Sequence, residues 1–229
     1  MEYLKNGFTL DIPEGCFPLS TDSVALAAFA KLPKNARVLD LGAGCGTLGM
    51  LLSDAYPDCA VTGIEIDPAA HAAAMDNAQR NGCLERYSSI CDDITRIDAL
   101  VKAGSLHICV SNPPYFAGGA VSKDHAVARQ EQTCTPDTLF RAAAWALQWG
   151  GDFFLVHKPE RLAQLCACAA KHGLEPKTLQ LLRHRKEAPV SLILLQCRKG
   201  GKPGLIWQEQ YLYDADGAPS AYFHSLYRR

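Results

Sequence analysis

Two periods of apolar residues run along this chain. From Arg37 onward, short apolar runs alternate with stretches in which apolar residues return every three or four positions. The first pattern is that of buried strands, the second that of amphipathic helices. Strands are predicted at residues 37–41, 60–65, 88–91, 106–111, 152–157, 178–183 and 190–197, with helices at 47–55, 68–81, 136–148 and 159–172. Pro68, Pro136 and Pro159 fall near the predicted helix starts, where a missing amide proton costs little. Such alternation predicts an α/β fold, a parallel sheet with helices on both faces. A short Lys/Glu/Pro segment joins the last two strands. It is too brief for a parallel crossover, so they are expected as an antiparallel pair at the sheet edge. A further strand is placed at 205–213. Ahead of the sheet, Ser20-Thr21-Asp22-Ser23 precedes an apolar helix at 24–30. Any one of these four side chains could cap that helix, and capping does not require them all.

Composition narrows the class. With 229 residues, 48% hydrophobic and 21% charged, the chain is expected to form one domain, with an N-terminal extension (1–35) covering the site, a core (36–200) and a C-terminal extension (201–229). It opens Met1-Glu2-Tyr3-Leu4-Lys5, and no apolar run reaches bilayer-spanning length, so no membrane association and a cytoplasmic location are expected. The ten cysteines are scattered without a Cys-x-x-Cys pair, which argues for reduced, mostly buried thiols and no metal site. The net charge of -1 is unevenly spread: residues 157–203 hold ten Lys or Arg against three acids. A basic face of this kind suits a phosphate backbone and equally suits plain solvation. Arg183, Arg185 and Lys186 are its densest cluster and the candidate RNA contacts.

The first predicted strand runs into Asp40-Leu41-Gly42-Ala43-Gly44-Cys45-Gly46, a loop whose missing side chains let the backbone turn sharply and approach a ligand. Gly44 to Gly49 also satisfies G-x-G-x-x-G, a pattern shared with dinucleotide-binding proteins and weak by itself. Glu65 ends the second strand, where a carboxylate can accept both hydroxyls of a ribose. The glycine array, this acid and the later Asp92-Asp93-Ile94 resemble, in that order, the motif series of S-adenosyl-L-methionine enzymes. That resemblance assigns Gly42, Gly44 and Gly46 to the methionine part of the cofactor, Glu65 to the ribose and Ile66 to the adenine face. Asp93 is expected to accept from the adenine amine with Asp92 close behind, and Asp40 to hold the loop and reach the methionine ammonium.

Asn112-Pro113-Pro114-Tyr115-Phe116 follows the fourth strand directly, at the carboxyl edge where open parallel sheets bind ligands. An amine conjugated to a base or an amide is a poor nucleophile, because its lone pair is delocalised. The Asn112 side-chain oxygen and the Pro113 carbonyl can accept its two hydrogens and favour a pyramidal nitrogen. Pro113 and Pro114 fix the turn without competing donors. Tyr115 offers a flat face for stacking, with Phe116 beside it. Methyl transfer from a sulfonium is an in-line displacement governed by positioning, so no strong base is required. Arg129 lies in a long irregular stretch beside the site, either as a substrate contact or paired with Glu131.

These motifs, with Leu19 to Val24, Ala128 to Glu131 and His157 to Leu162, make the chain similar to the small-domain methyltransferases grouped with bacterial tRNA1(Val) adenine-37 N6-methyltransferase. The resemblance implies a Rossmann-like, seven-stranded methyltransferase sheet with an antiparallel final pair. It also implies S-adenosyl-L-methionine as methyl donor, a tRNA adenine as acceptor and Asp22 in the methyl-transfer pocket. Many relatives carry a basic–aromatic pair before the first helix, where this chain has Cys16-Phe17-Pro18. Similar motifs serve enzymes that methylate guanine amines of ribosomal RNA or a protein glutamine amide, and these are the rival acceptors. A cofactor- or RNA-binding protein without catalysis is the rival of another class, and an NAD-linked reductase a more distant one. Nothing in the sequence speaks to oligomeric state.

Overall fold

A computed structural model describes residues 1–114 and 134–227. After a small hairpin, β1 (Glu2–Tyr3) and β2 (Thr9–Leu10), come α1 (Thr21–Phe29), β3 (Arg37–Leu41), α2 (Thr47–Ala55), β4 (Ala60–Glu65), α3 (Pro68–Arg80), β5 (Tyr87–Cys91), α4 (Ile97–Leu100) and β6 (Leu106–Ser111). The chain continues with α5 (Pro136–Ala146), β7 (Leu147–His157), α6 (Leu162–Lys171), β8 (Leu174–Arg183), β9 (Val190–Lys199), β10 (Ile206–Tyr211) and α7 (Ala221–Tyr227). The main sheet has the order β10-β8-β9-β7-β6-β3-β4-β5. It is the expected doubly wound α/β sheet with eight strands in place of seven.

Strand alternation places a core on each face. Val38, Val110, Phe154 and Val156 pack with α1, α2 and α3. Their neighbours Leu39, Cys109, Phe153 and Leu155 pack with α5 and α6. Both faces of these strands are buried, so they read as continuous apolar runs. Asp67 caps α3, accepting from Ala69 N at 2.7 Å with Pro68 in the first turn, and Thr135 caps α5 ahead of Pro136 in the same way. Several boundaries move, with α1 beginning already at Thr21, β7 at Leu147 and β8 at Leu174. α5 ends at Ala146, since Leu147 already pairs with Leu106 in the sheet, and α6 starts after a short 3-10 turn at Pro159–Arg161.

The edge was misassigned from the sequence. β8 and β9 are antiparallel as expected, but β10 adds in parallel outside β8, so the pair lies inside the sheet. β9 runs antiparallel to β7, which returns β8 and β10 to the direction of β3, β4, β6 and β7. The C-terminal ends of β8 and β10 therefore share an edge with the glycine loop and Asn112.

Asn77 of α3 and Asn81 at its C-terminal cap hold the N-terminal extension. Asn77 accepts from Asp11 N at 2.8 Å and donates to Asp11 O at 2.9 Å and to Cys45 O, in the glycine loop, at 3.0 Å. Asn81 accepts from Thr9 N and donates to Thr9 O. Asn77 is 1% exposed, so truncation leaves buried backbone groups without partners. Asn77→Ala is expected to lower stability by roughly 2–4 kcal/mol, read as a reduced urea midpoint at unchanged slope. A loss below about 0.5 kcal/mol would mean that water replaces the clamp.

Candidate active site

The glycine loop owes its path to backbone conformation and close packing. Gly44 has φ +56 with open space where a Cβ would sit, and Gly46 has φ +81 with the Tyr87 hydroxyl 2.8 Å from that position. The first glycine faces a cavity. The second admits no side chain at all. Gly49, third in the G-x-G-x-x-G pattern, packs against the Tyr87 ring, so here it serves helix-to-sheet packing.

A cavity of about 230 Å3 opens at this loop, with Gly42, Gly44, Asp40, Asp22, Asn112, Pro113 and Pro114 in its wall. A second, small depression of about 20 Å3 continues from Gly42 past Glu65, Ile66, Asp92, Asp93 and Cys134. The predicted donor and acceptor residues thus meet around one glycine. Gly46 is not part of the wall and packs on Tyr87 and Ala74, while Phe17 and Pro18 close the cavity from the N-terminal side. A larger open groove of about 790 Å3 lies beyond α1, over Gln180, Gln196 and the Arg198–Asp152 ion pair, and contains none of the predicted site residues.

The buried acids explain each other's behaviour. Glu65 accepts from Gly44 N and from Asp67 N, both at 2.8 Å, and is 1% exposed. It ties the loop to the strand end, and burial raises its pKa against the opposing effect of those amides. Asp40 is pushed from 3.8 to about 7 by burial and then by the nearby Glu65 charge. Its Oδ2 has no hydrogen-bond partner among the described residues. A buried, unpartnered carboxylate oxygen beside a second acid is suited to receive a cation, and the ammonium of a methionine moiety has that chemistry. Asp93 accepts from Thr95 N at 2.8 Å, and Asp92 receives Arg96 at 2.9 and 3.1 Å. The capping role for Asp93 is therefore real, and both acids still line the depression.

Asn112 is oriented by a residue that the sequence reading did not single out. Its Nδ2 donates to Ser23 Oγ at 3.0 Å, and Ser23 is 4% exposed. With the amide nitrogen engaged, the carbonyl oxygen is the acceptor left for a substrate. All four residues at the head of α1 are employed. Ser20 caps the helix, accepting from Ser23 N at 3.5 Å, and Thr21 receives the Tyr227 hydroxyl at 3.1 Å. Asp22 faces the cavity and Ser23 holds Asn112. Four polar residues where one suffices for capping was the available signal.

The basic segment is not one face. Lys177, Arg198 and Lys199 lie toward the opposite edge of the sheet, where Arg198 pairs with Asp152, and Lys171 pairs with Asp137 in the first turn of α5. Arg183, Arg185 and Lys186 lie on the site's edge without lining the cavity. Arg183 donates to Ala188 O at 2.6 Å and pairs with Glu209 at 3.5 Å, while Arg185 and Lys186 are exposed. Tyr115, Phe116 and Arg129 lie outside the described residues. Among the described residues, no helix is long and apolar enough to cross a membrane, and no group of His, Cys, Asp or Glu could hold a metal.

Comparison with known proteins places this geometry. The sequence profile of the methyltransferase small domain matches residues 20–164. A tRNA1(Val) (adenine(37)-N6)-methyltransferase of Photobacterium profundum is 29% identical over 93% of this chain and 91% of its own length. The enzyme of the same name from Dickeya chrysanthemi is 31% identical over 80% of this chain and 74% of its own. Among solved structures, a predicted O-methyltransferase from Agrobacterium tumefaciens superposes with a TM-score of 0.74 at 20% identity, covering 90% of this chain and 95% of that one.

Proposed function

The chain belongs to the methyltransferase small-domain family, and on that premise we propose that it methylates the exocyclic N6 amine of an adenine in tRNA. The observation that carries this reading is the Asn112 amide, held at its nitrogen by Ser23 inside the cavity formed with Pro113 and the glycine loop. The names of its relatives, tRNA adenine methyltransferases over most of the chain, support the same acceptor.

Bound S-adenosyl-L-methionine supplies a methyl group on a sulfonium, open to displacement by an aligned lone pair. The protein positions that lone pair. The Asn112 carbonyl oxygen and the Pro113 carbonyl accept the two amine hydrogens of a flipped base, which withdraws the nitrogen from conjugation and points it at the methyl group. Positive charge developing on the nitrogen as it takes the methyl group would be stabilised by both acceptors. The extra proton then leaves to water. On the donor side Gly42, Gly44 and Gly46 shape the methionine site, Asp40 meets its ammonium and Glu65 the ribose. Ile66, Asp92 and Asp93 border the adenine. Tyr115 and Phe116 stack the acceptor base, and Arg129 is assigned to the substrate side.

Labelled S-adenosyl-L-methionine, offered separately with tRNA, ribosomal RNA and protein, is expected to mark the tRNA. Label in protein alone would turn the reading to a glutamine amide.

Asp40 gives this site a pH dependence. Its folded-state pKa of about 7 lies above the ordinary 3.8, so the free protein holds its proton longer than the unfolded chain does. That contribution to stability is present at low pH and lost as pH rises from about 4 through 7. An ammonium ligand selects the ionised form, so S-adenosylhomocysteine affinity should rise with pH, by up to about tenfold per unit below pH 7. Calorimetric titration from pH 5 to 8 checks this, and Asp40→Asn is expected to flatten the profile. An equally steep profile in the variant would move the dependence to another group.

A further inference from the structure

The C-terminal extension, together with His184 just after β8, carries a row of aromatic rings with no part in either core. His184 and Tyr213 stand 4.6 Å apart between centroids, Tyr213 and Phe223 5.4 Å, and Phe223 and Tyr227 4.7 Å. Tyr227 then donates to Thr21, whose neighbours Ser20 and Asp22 line the site cavity. The scaffold beneath is regular. The β8–β10 ladder continues past both strand ends through Tyr213 N to His184 O at 2.9 Å, and Ser220 caps α7, accepting from Phe223 N.

The helix separates two functions by its spacing. Tyr222 and Leu226, four apart, face inward: Leu226 is buried in the core, and Tyr222 packs on it while receiving Gln180 Nε2. Phe223 and Tyr227, also four apart, form the adjoining stripe outside that core. Anchoring α7 needs only the first pair. His184 and Tyr227 are exposed, Tyr213 and Phe223 half-buried, and Arg185 and Lys186 extend the row at its far end.

We propose that this row is a stacking track for unpaired bases flanking the acceptor nucleotide, with Arg185 and Lys186 on the phosphates beyond. The inference rests on the RNA reading of the active site. Rings in sequence beside exposed cations are the physical means of holding single-stranded nucleic acid, since every base has a face to stack. The same edge of the sheet carries Asn112, so a strand laid on the track leads toward the cavity.

The test uses the full-length protein, labelled S-adenosyl-L-methionine and tRNA from cells lacking this protein. Tyr227→Leu and Phe223→Leu should each raise KM for tRNA on the order of tenfold. The rate at saturating tRNA, S-adenosylhomocysteine affinity and melting temperature should stay near wild type. Tyr227→Phe, which keeps the ring and loses the contact to Thr21, should keep the KM. Arg185→Glu with Lys186→Glu should lower the salt slope by roughly 1.4, whereas the leucine variants leave it unchanged. If the wild type labels tRNA and both leucine variants keep KM within about twofold, the track is overturned while the active-site reading stands, the result also expected of a surface for a protein partner. A wild type that labels no RNA would remove both.

Discussion

Asn112→Ala is expected to slow methyl transfer on the order of a hundredfold or more, while S-adenosylhomocysteine still binds with nearly wild-type affinity. The separation follows from geometry. In the proposed mechanism Asn112, at the end of β6, acts on the acceptor amine, whereas the glycine loop, Asp40 and Glu65, at the ends of β3 and β4, shape the donor side. Removing one positioned acceptor removes an interaction that strengthens only as the nitrogen gains positive charge, so the loss is in the rate of the chemical step. Ser23→Ala should give an intermediate loss, because the amide remains but its nitrogen is no longer held. Single-turnover transfer beside calorimetric binding distinguishes these steps. Wild-type transfer by Asn112→Ala would end the proposed mechanism, and an equal loss of cofactor binding would move Asn112 to the donor site.

Glu65→Ala should weaken S-adenosylhomocysteine binding on the order of a hundredfold. Its two oxygens receive Gly44 N and Asp67 N at 2.8 Å each, and hydrogen bonds to a charged acceptor are worth more than neutral ones. The variant therefore loses the proposed ribose contact and the tie that holds the glycine loop to the strand end. Glu65→Gln keeps one carbonyl oxygen and should lose less. The melting-temperature rise with S-adenosylhomocysteine, large in wild type and nearly absent in Glu65→Ala, reads the difference. Equal rises would mean that the ribose is held elsewhere.

Most of the sheet was legible because its strands are buried on both faces and its helices on one. Both patterns leave a period in the sequence, as at Arg37–Leu41 and Thr47–Ala55. β10 was harder to place. Ile206 and Trp207 are about 60% exposed, so its apolar residues follow no core face and nothing marked it as the strand outside β8. The basic segment misled for a related reason. Charge counted along the chain ignores that β9 runs against its neighbours and carries Arg198 and Lys199 to the far edge.

At the site, the glycines and the strand-end acids announced themselves through spacing, since each motif is local. Ser23 did not. Its bond to Asn112 joins positions 89 residues apart, and only the packing of α1 on the sheet, against β7 beside β6, brings them together. Asp93 shows the opposite case. A local reading offered it two roles, and the structure shows it capping a turn while it borders the depression.

The central claim is that the acceptor is the N6 amine of an adenine in tRNA. Its most direct test is mass spectrometry of nucleosides from tRNA lacking the modification, after incubation with this protein and S-adenosyl-L-methionine. N6-methyladenosine should accumulate with wild type and be absent with Asn112→Ala. N2-methylguanosine in its place, or no modified nucleoside beside a methylated protein glutamine, would contradict the account.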